Sequence, residues 1–106
     1  MPSAATDNAH LAARRPIMAL LEQLGRKGTL RILWELRDGA PQSFRVLQAN
    51  AGEMSPSVLN DRLKELRTLQ IVELAELGYV LTESGVELVK RLKPLNQWAD
   101  RWFEAL

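Results

Sequence analysis

A helix with a well-marked start is the feature that most constrains the fold of this chain. Ser55 is a favoured N-cap residue, and Pro56 follows at the first helical position, where the missing N–H of proline removes no hydrogen bond. Leu59, Leu63 and Leu66 then recur at i, i+4 and i+7, a spacing that predicts one buried helix face. We therefore expect a helix that begins after Ser55 and packs through its leucines.

The opposite face of this helix carries polar side chains, most of them short: Ser57, Asn60, Asp61, Lys64 and Thr68. Such side chains let a helix lie in the major groove of DNA and hydrogen-bond to base edges. An ordinary solvated face has the same composition, because most helices present polar residues to water. Taken by itself, the helix leaves both interpretations open.

A short β-hairpin and a second helix start follow. The predicted strands contain β-branched and aromatic residues, namely Ile71, Val72, Tyr79, Val80 and Leu81. Between them, residues 76–78 suit a tight turn with Gly78 at a position of positive φ, and we expect a bulge beside it. Thr82 is then placed to cap a new helix, and Glu83 in its first turn complements the helix dipole.

Three further helices are predicted upstream. Pro16 opens a segment with a single apolar stripe, which Gly25 ends. Residues 29–38 are apolar nearly all round, which predicts a buried central helix. Ser43 caps a short helix, and residues 51–52 form the turn that follows it. The order is helix, helix, helix, turn, helix, hairpin and long helix. We therefore predict a mainly α (α+β) winged helix-turn-helix with a two-stranded wing.

Length and composition fit one domain of this kind. The chain has 106 residues, of which 46% are hydrophobic and 25% charged. We expect residues 1–15 to be a disordered tail and residues 16–106 to form the domain, with a last helix at about 83–106. No apolar run approaches the ~20 residues of a membrane span, and the start lacks the apolar core of a signal peptide. These features predict a cytoplasmic protein with no membrane partner.

The sequence offers little to support catalysis. The single histidine, His10, lies in the predicted tail, and there are no cysteines. A disulfide, a thiolate metal site and a thiol redox switch are therefore excluded. Gly-rich phosphate loops, HExxH and nucleophile-elbow patterns are also absent from the sequence. We predict no enzyme activity, no metal and no cofactor.

The last helix indicates a protein partner. An apolar seam with spacings of 4, 3, 4, 3 and 4 residues is formed by Leu88, Leu92, Leu95, Ala99, Trp102 and Leu106. Trp98 and Phe103 widen the seam. Part of it must cover the core of the domain itself, but so many aromatic residues near a terminus favour burial against another chain. Pro94 removes one helical hydrogen bond and is expected to kink the helix.

From Pro16 onward the chain resembles the HxlR-type regulators, bacterial winged-helix transcription factors related to the MarR group. The shared motifs are Pro16, residues 25–29 (GRKGT), Ser43 to Leu47 (SFRVL), Leu59 to Leu66 (LNDRLKEL), Leu81 to Gly85 (LTESG), and Pro94 with Trp102. The resemblance implies a sequence-specific regulator that binds double-stranded DNA as a homodimer.

The resemblance also implies roles for individual residues. DNA contacts are expected from α-helical and flanking polar residues: Arg45, Ser55, Ser57, Asn60, Asp61, Arg62, Lys64 and Thr68. In the family the first and last helices pair across a two-fold axis. The corresponding dimerisation residues here are Leu20, Leu24, Leu88, Leu92, Leu95, Trp98, Trp102 and Phe103. The operator and any effector ligand stay open.

The chain departs from the family pattern mainly at the position of a sensing cysteine and at positions around the wing, which would contact DNA. The family cysteine before the first helix is Arg15, the glycine before the wing is Gln70, and the basic wing residue is Leu74. Residues 14–45 carry a net charge of +4, but residues 46–81 carry −2. Because DNA affinity rests on Lys and Arg at phosphates, a second interpretation stays open. It is a winged-helix protein–protein interaction module with weak or lost DNA binding, in which Arg62 forms a surface salt bridge.

Overall fold

The computed structural model describes residues 15–52 and 54–106. These residues form five helices and one two-stranded antiparallel sheet: α1 (Pro16–Leu24), α2 (Thr29–Glu35), α3 (Phe44–Asn50), α4 (Pro56–Thr68), β1 (Val72–Ala75), β2 (Gly78–Leu81) and α5 (Glu83–Glu104). The order confirms the winged helix-turn-helix prediction. The predicted tail lies, except for Arg15, outside the described residues.

The predicted N-caps are confirmed at three helices. The hydroxyls of Ser43 and Ser55 accept the backbone N–H of the third residue beyond them, at 3.2 Å and 3.3 Å. The Thr82 hydroxyl accepts in the same way at 3.0 Å. Each of these bonds satisfies an N–H that the helix itself leaves without a partner. The sequence signal and the helix start therefore have the same physical cause.

The core lies where α2, α3 and α4 meet beneath the first turns of α5. The leucine face of α4 is buried as predicted, and the described core consists of Leu24, Ile32, Leu33, Leu36, Leu47, Leu59, Leu63, Leu66, Ile71, Val72, Leu81 and Val89. Leu24 of α1 belongs to this core and is only 7% exposed. Leu24 was predicted to contribute to dimerisation, but its burial within the protomer leaves little of its side chain to contact another chain.

Helix α2 differs from the prediction in length and in burial. It ends at Glu35 rather than at Asp38. Leu30 and Trp34 are 50% and 42% exposed, while Ile32 and Leu33 are buried. The expectation of a helix buried all round is wrong, because the outer side of α2 borders an open groove instead of a packed neighbour.

The wing is a regular hairpin. Its strands pair from Val72 opposite Leu81 to Ala75 opposite Gly78, with no offset in the register of these described pairs. The bulge expected beside the turn is therefore absent. Gly78 has a φ of +142°, as the sequence predicted for this position.

A residue before α3 adds a third, one-residue strand to the wing. Gln42 and Tyr79 exchange both backbone hydrogen bonds, at 3.1 Å and 2.8 Å. This approach accounts for Gly78, because a β carbon there would lie 2.5 Å from the Gln42 carbonyl carbon. The bridge fixes the wing to the segment that leads into α3.

The junction between α4 and the wing holds a left-handed residue. Gln70 has a φ of +59°, and it is the only described non-glycine residue with positive φ. The N–H of Ile71 donates to the Leu66 carbonyl at 2.9 Å, and that of Gln70 to Arg67 at 3.0 Å. This is the Schellman arrangement, in which glycine usually occupies the left-handed position.

Helix α5 is 22 residues long, and its N-cap Thr82 contacts the same junction. The Thr82 hydroxyl lies 2.6 Å from the Gln70 carbonyl and 3.1 Å from that of Ile71. A β carbon on Gly85 would collide with the Ile71 carbonyl oxygen. Pro94 lies within the helix without ending it.

Candidate nucleic-acid interface

The polar face of α4 is exposed along its whole length. Ser57, Asn60, Asp61, Lys64 and Thr68 are all classed as exposed, and so is the N-cap Ser55. The Thr68 hydroxyl donates to the Lys64 carbonyl at 3.0 Å. Thr68 also lies about 20 Å along the helix from Ser55, at 1.5 Å per residue. The residues nearest the helix start are therefore the ones that could enter a groove together.

Arg62 is engaged inside the protomer rather than directed outward. Its side chain is only 16% exposed, and its Nε lies 3.1 Å from Glu65 Oε1. The pair is close enough for an ion pair, but its N–H is not aligned for a hydrogen bond. Of the two roles open from the sequence, the structure places Arg62 in the salt-bridge arrangement.

Glu65 joins α4 to the end of α1 and the turn after it. Besides Arg62, its carboxylate binds the Arg26 guanidinium and accepts a hydrogen bond from the Gln23 amide at 3.1 Å. The spacing of Arg62 and Glu65 on one helix could have indicated their contact. Nothing in the sequence indicates the contacts with residues 23 and 26, which are about 40 positions away.

Four exposed cations of the helix-turn-helix and the turn before it form no ion pair with another described residue: Lys27, Arg45, Lys64 and Arg67. Arg31, by contrast, pairs with Glu35 at 2.9 Å and donates to the Asn50 carbonyl at 3.0 Å. The free cations lie on α4, on α3 and in the turn before α2. Phosphate contacts could therefore come from both helices of the helix-turn-helix.

The wing presents carboxylates and leucines instead of cations. Leu74 and Leu77 are 52% and 78% exposed, and Glu73 and Glu76 beside them are exposed as well. No lysine or arginine occurs anywhere from residue 68 to residue 89. A surface of this charge repels the phosphate backbone.

A second exposed surface is apolar and lies on α5. Trp98 and Trp102 stack with ring centroids 5.8 Å apart, and each is about half exposed. Phe103 and Leu95 of the predicted dimerisation set are exposed too, whereas Leu20, Leu88 and Leu92 pack partly against the core. On α1, Ile17, Met18 and Leu21 expose about half of their surface.

Neither a metal site nor a membrane span is found in the part of the chain that the structure describes. Among those residues no three His, Asp or Glu side chains cluster to hold an ion. None of the described helices is long and apolar enough to cross a bilayer.

Residues 23–106 match the HxlR-like helix-turn-helix family. The chain belongs to this family. YodB of Bacillus subtilis, an HTH-type transcriptional regulator, is 33% identical over 88 residues, covering 76% of this chain and 78% of YodB. An HTH-type transcriptional regulator of Methanocaldococcus jannaschii is 31% identical over 93 residues, covering 83% of this chain and 86% of the relative.

Solved structures agree with this assignment. The crystal structure of quinone-bound YodB superposes with a TM-score of 0.75 at 30% identity, covering 81% of this chain and 97% of that one. A possible HxlR family transcriptional factor from Thermoplasma volcanium gives a TM-score of 0.71 at 28% identity, covering 86% and 87%. The chain is thus a DNA-binding transcriptional regulator of HxlR type, in a family of regulators and not of enzymes.

Proposed function

We propose that this regulator binds its operator as a homodimer and that α4 of each copy enters the major groove. The division of α4 into two faces carries the proposal. Its leucines are buried in the core, while the side chains at the start of its other face are exposed and short. A recognition helix needs this division, because it must be held firmly from behind and approach the base edges closely.

Each residue near the start of α4 has a distinct contact available. The backbone N–H of Ser57, to which no described residue supplies an acceptor, suits a phosphate. The amide of Asn60 suits an adenine edge, and the carboxylate of Asp61 suits the amino group of cytosine. Lys64 and, from α3, Arg45 suit guanine or phosphate. Arg62 is left out, because Glu65 already holds it.

The homodimer is supported by the exposed apolar residues of α1 and α5. A small domain rarely exposes two stacked tryptophans and a phenylalanine without a partner that covers them. Two copies related by a two-fold axis would also present two recognition helices to two half-sites of an operator. A regulator that binds operator DNA would act in the cytoplasm of a bacterial cell.

Sensing by a thiol is ruled out for this chain. YodB has been captured with quinone bound, in a reduced form and after diamide treatment. This chain has no cysteine, and thiol oxidation or alkylation begins at a cysteine. Any signal that controls this regulator must therefore use other chemistry.

The acidic wing favours one alternative function. A winged-helix module whose wing contacts another protein would tolerate exposed leucines and carboxylates at its tip, and its DNA binding would be weak or lost. Substitutions on α4 distinguish the two functions, because they should weaken DNA binding only if α4 contacts DNA.

A binding titration tests the proposal. The full chain would be titrated against the DNA upstream of its own gene at several salt concentrations, beside the Asn60→Ala variant and a Glu87→Gln control on α5. We expect the parent and the control to bind this DNA with equal affinity. We expect the Asn60→Ala variant to bind it more weakly, because the variant loses the contact with one base. Equal binding by all three proteins, each folded and dimeric, would favour the alternative.

A further inference from the structure

The outer edge of the wing has no strand beside it in the described chain. Strand β2 lies between β1 and the one-residue bridge at Gln42, so β1 is the edge strand. Gln42 exchanges both backbone hydrogen bonds with Tyr79, so the N–H and C=O of Tyr79 point away from β1. Leu74 is opposite Tyr79, and the two residues of such an antiparallel pair direct their backbone groups to opposite edges. The N–H and C=O of Leu74 therefore point outward, and no described residue hydrogen-bonds to either.

The side chains along this edge are apolar on one face and acidic on the other. Leu74 is 52% exposed, and Glu73, its neighbour in the strand, points to the opposite face. The turn that follows β1 adds Leu77, 78% exposed, and the exposed carboxylate of Glu76. Residues 68–89 contain four glutamates and no lysine or arginine. A partner at this edge must therefore supply apolar contact on one face and positive charge on the other.

An extended protein segment with alternating apolar and basic residues meets both requirements. Its side chains alternate between the two faces of the sheet, so apolar ones would cover Leu74 while cations approach Glu73. Its backbone would pair with Leu74 as Gln42 pairs with Tyr79 at the other edge. Addition of a strand to a sheet edge is a common mode of peptide recognition, with affinity from main-chain hydrogen bonds and specificity from alternate side chains. Nucleic acid is a poor occupant, because its phosphates are repelled by the carboxylates.

We propose that the outer edge of the wing binds an extended basic segment of another protein, which pairs antiparallel with β1 at Leu74. Apolar side chains of the segment cover Leu74, and its cations lie beside Glu73 and near Glu76 in the turn. The wing begins four residues after the end of α4, at the opposite end of that helix from Ser57. The contact therefore goes beyond operator binding, requires neither DNA nor the homodimer, and leaves the start of α4 free.

Fluorescence anisotropy of a labelled peptide tests this contact. The probe is a fluorescein-labelled peptide of alternating lysine and valine, long enough to span β1 and its turn, titrated with the full chain at low salt. A second peptide carries N-methyl groups on its valines, which removes the N–H that would donate to the Leu74 carbonyl but keeps the charge. Glu73→Gln/Glu76→Gln removes two carboxylates from the wing. Glu87→Gln/Glu104→Gln removes two exposed carboxylates from α5 and is the matched control.

We expect the parent and the α5 control to bind the unmodified peptide with equal affinity. The wing variant should bind it about fivefold more weakly, because two exposed ion pairs are lost. The N-methylated peptide should bind the parent about tenfold more weakly or not at all, because main-chain hydrogen bonds carry the affinity. Equal binding of the unmodified peptide by all three proteins, or none by the parent, would overturn the proposal. Undiminished binding of the N-methylated peptide would exclude strand pairing and would overturn it as well.

Titration of the same variants with the DNA upstream of the gene separates this contact from operator binding. The wing variant and the α5 control should bind that DNA with equal affinity. A change confined to the wing variant would mean that the wing lies against DNA, which would overturn the proposal. If the parent bound no DNA but the peptide results held, operator binding would be rejected and the strand-binding edge of the wing would be supported.

Discussion

Replacing Glu65 with glutamine should cost measurable stability, because this one carboxylate joins α4 to the end of α1. Glutamine keeps an acceptor for the Gln23 amide but loses the charge that binds Arg26 and Arg62. Arg62 is 16% exposed and Glu65 26%, so their pair is screened less than an exposed one. Arg26 is 51% exposed and contributes less.

The exposed fractions of these side chains indicate how much stability the substitution should cost. Exposed ion pairs contribute about 0.2–1 kcal/mol, and hydrogen bonds to charged groups about 1.5–3 kcal/mol when they are withdrawn from water. The Glu65 cluster lies between these cases. We therefore expect Glu65→Gln to lower the free energy of unfolding by about 1–2 kcal/mol.

Urea unfolding at a fixed protein concentration would measure this loss, because a dimer's apparent stability depends on concentration. Glu87→Gln is the matched control. Its carboxylate lies 3.5 Å from Arg91 with both side chains about 70% exposed, so it should change stability by less than about 0.5 kcal/mol. If the two variants lost equal stability, Glu65 would not join α4 to α1 in the way described.

Four further predictions follow from single features. Gln70→Gly should raise the free energy of unfolding by about 0.5–1 kcal/mol in urea titrations, because it relieves the left-handed backbone; a lower value would contradict this. Asn60→Ala should lose about 1–3 kcal/mol of binding at one base position, and equal loss at every position would argue against base contact. Trp102→Ala should dissociate the dimer in sedimentation while circular dichroism shows a folded domain; an unchanged dimer would exclude Trp102 from the interface. Mild peroxide or a maleimide should leave DNA affinity unchanged in titrations, and a reversible change would require a chemistry other than thiol oxidation.

The helix starts and the buried face of α4 could be predicted from the sequence because their causes are local. A serine or threonine cap satisfies N–H groups two or three residues away. The leucines of α4 repeat with the period of the helix itself. Both signals lie within one or two turns of chain, and the order of elements then indicated the fold.

What the sequence did not reveal depends on contacts between distant segments. The bridge of Gln42 to Tyr79 involves a single residue, which leaves no periodic pattern. The left-handed conformation of Gln70 is imposed by the close packing of the wing against α4, and no glycine marks it. Trp34 is apolar, and the sequence could not distinguish a core residue from one that borders an open groove.

The same distinction applies to the candidate site: features set by local sequence could be predicted, and contacts between distant segments could not. Exposure of Asn60 and Lys64 followed from their positions on the helix opposite the leucines. The engagement of Arg62 could be inferred only as one of two alternatives, since its partner Glu65 is positioned by α1. Helical periodicity can show which face a cation occupies, but not whether a carboxylate from another element has already bound it.

Footprinting on the DNA upstream of the gene tests the central claim most directly. Two recognition helices in a two-fold dimer should protect two major-groove segments about one helical turn apart, roughly 34 Å between centres. We predict two such segments on related half-sites, and their loss in the Asn60→Ala variant at a concentration where the Glu87→Gln control retains them. Uniform protection, or none at protein concentrations where the dimer is intact, would contradict recognition of an operator by α4.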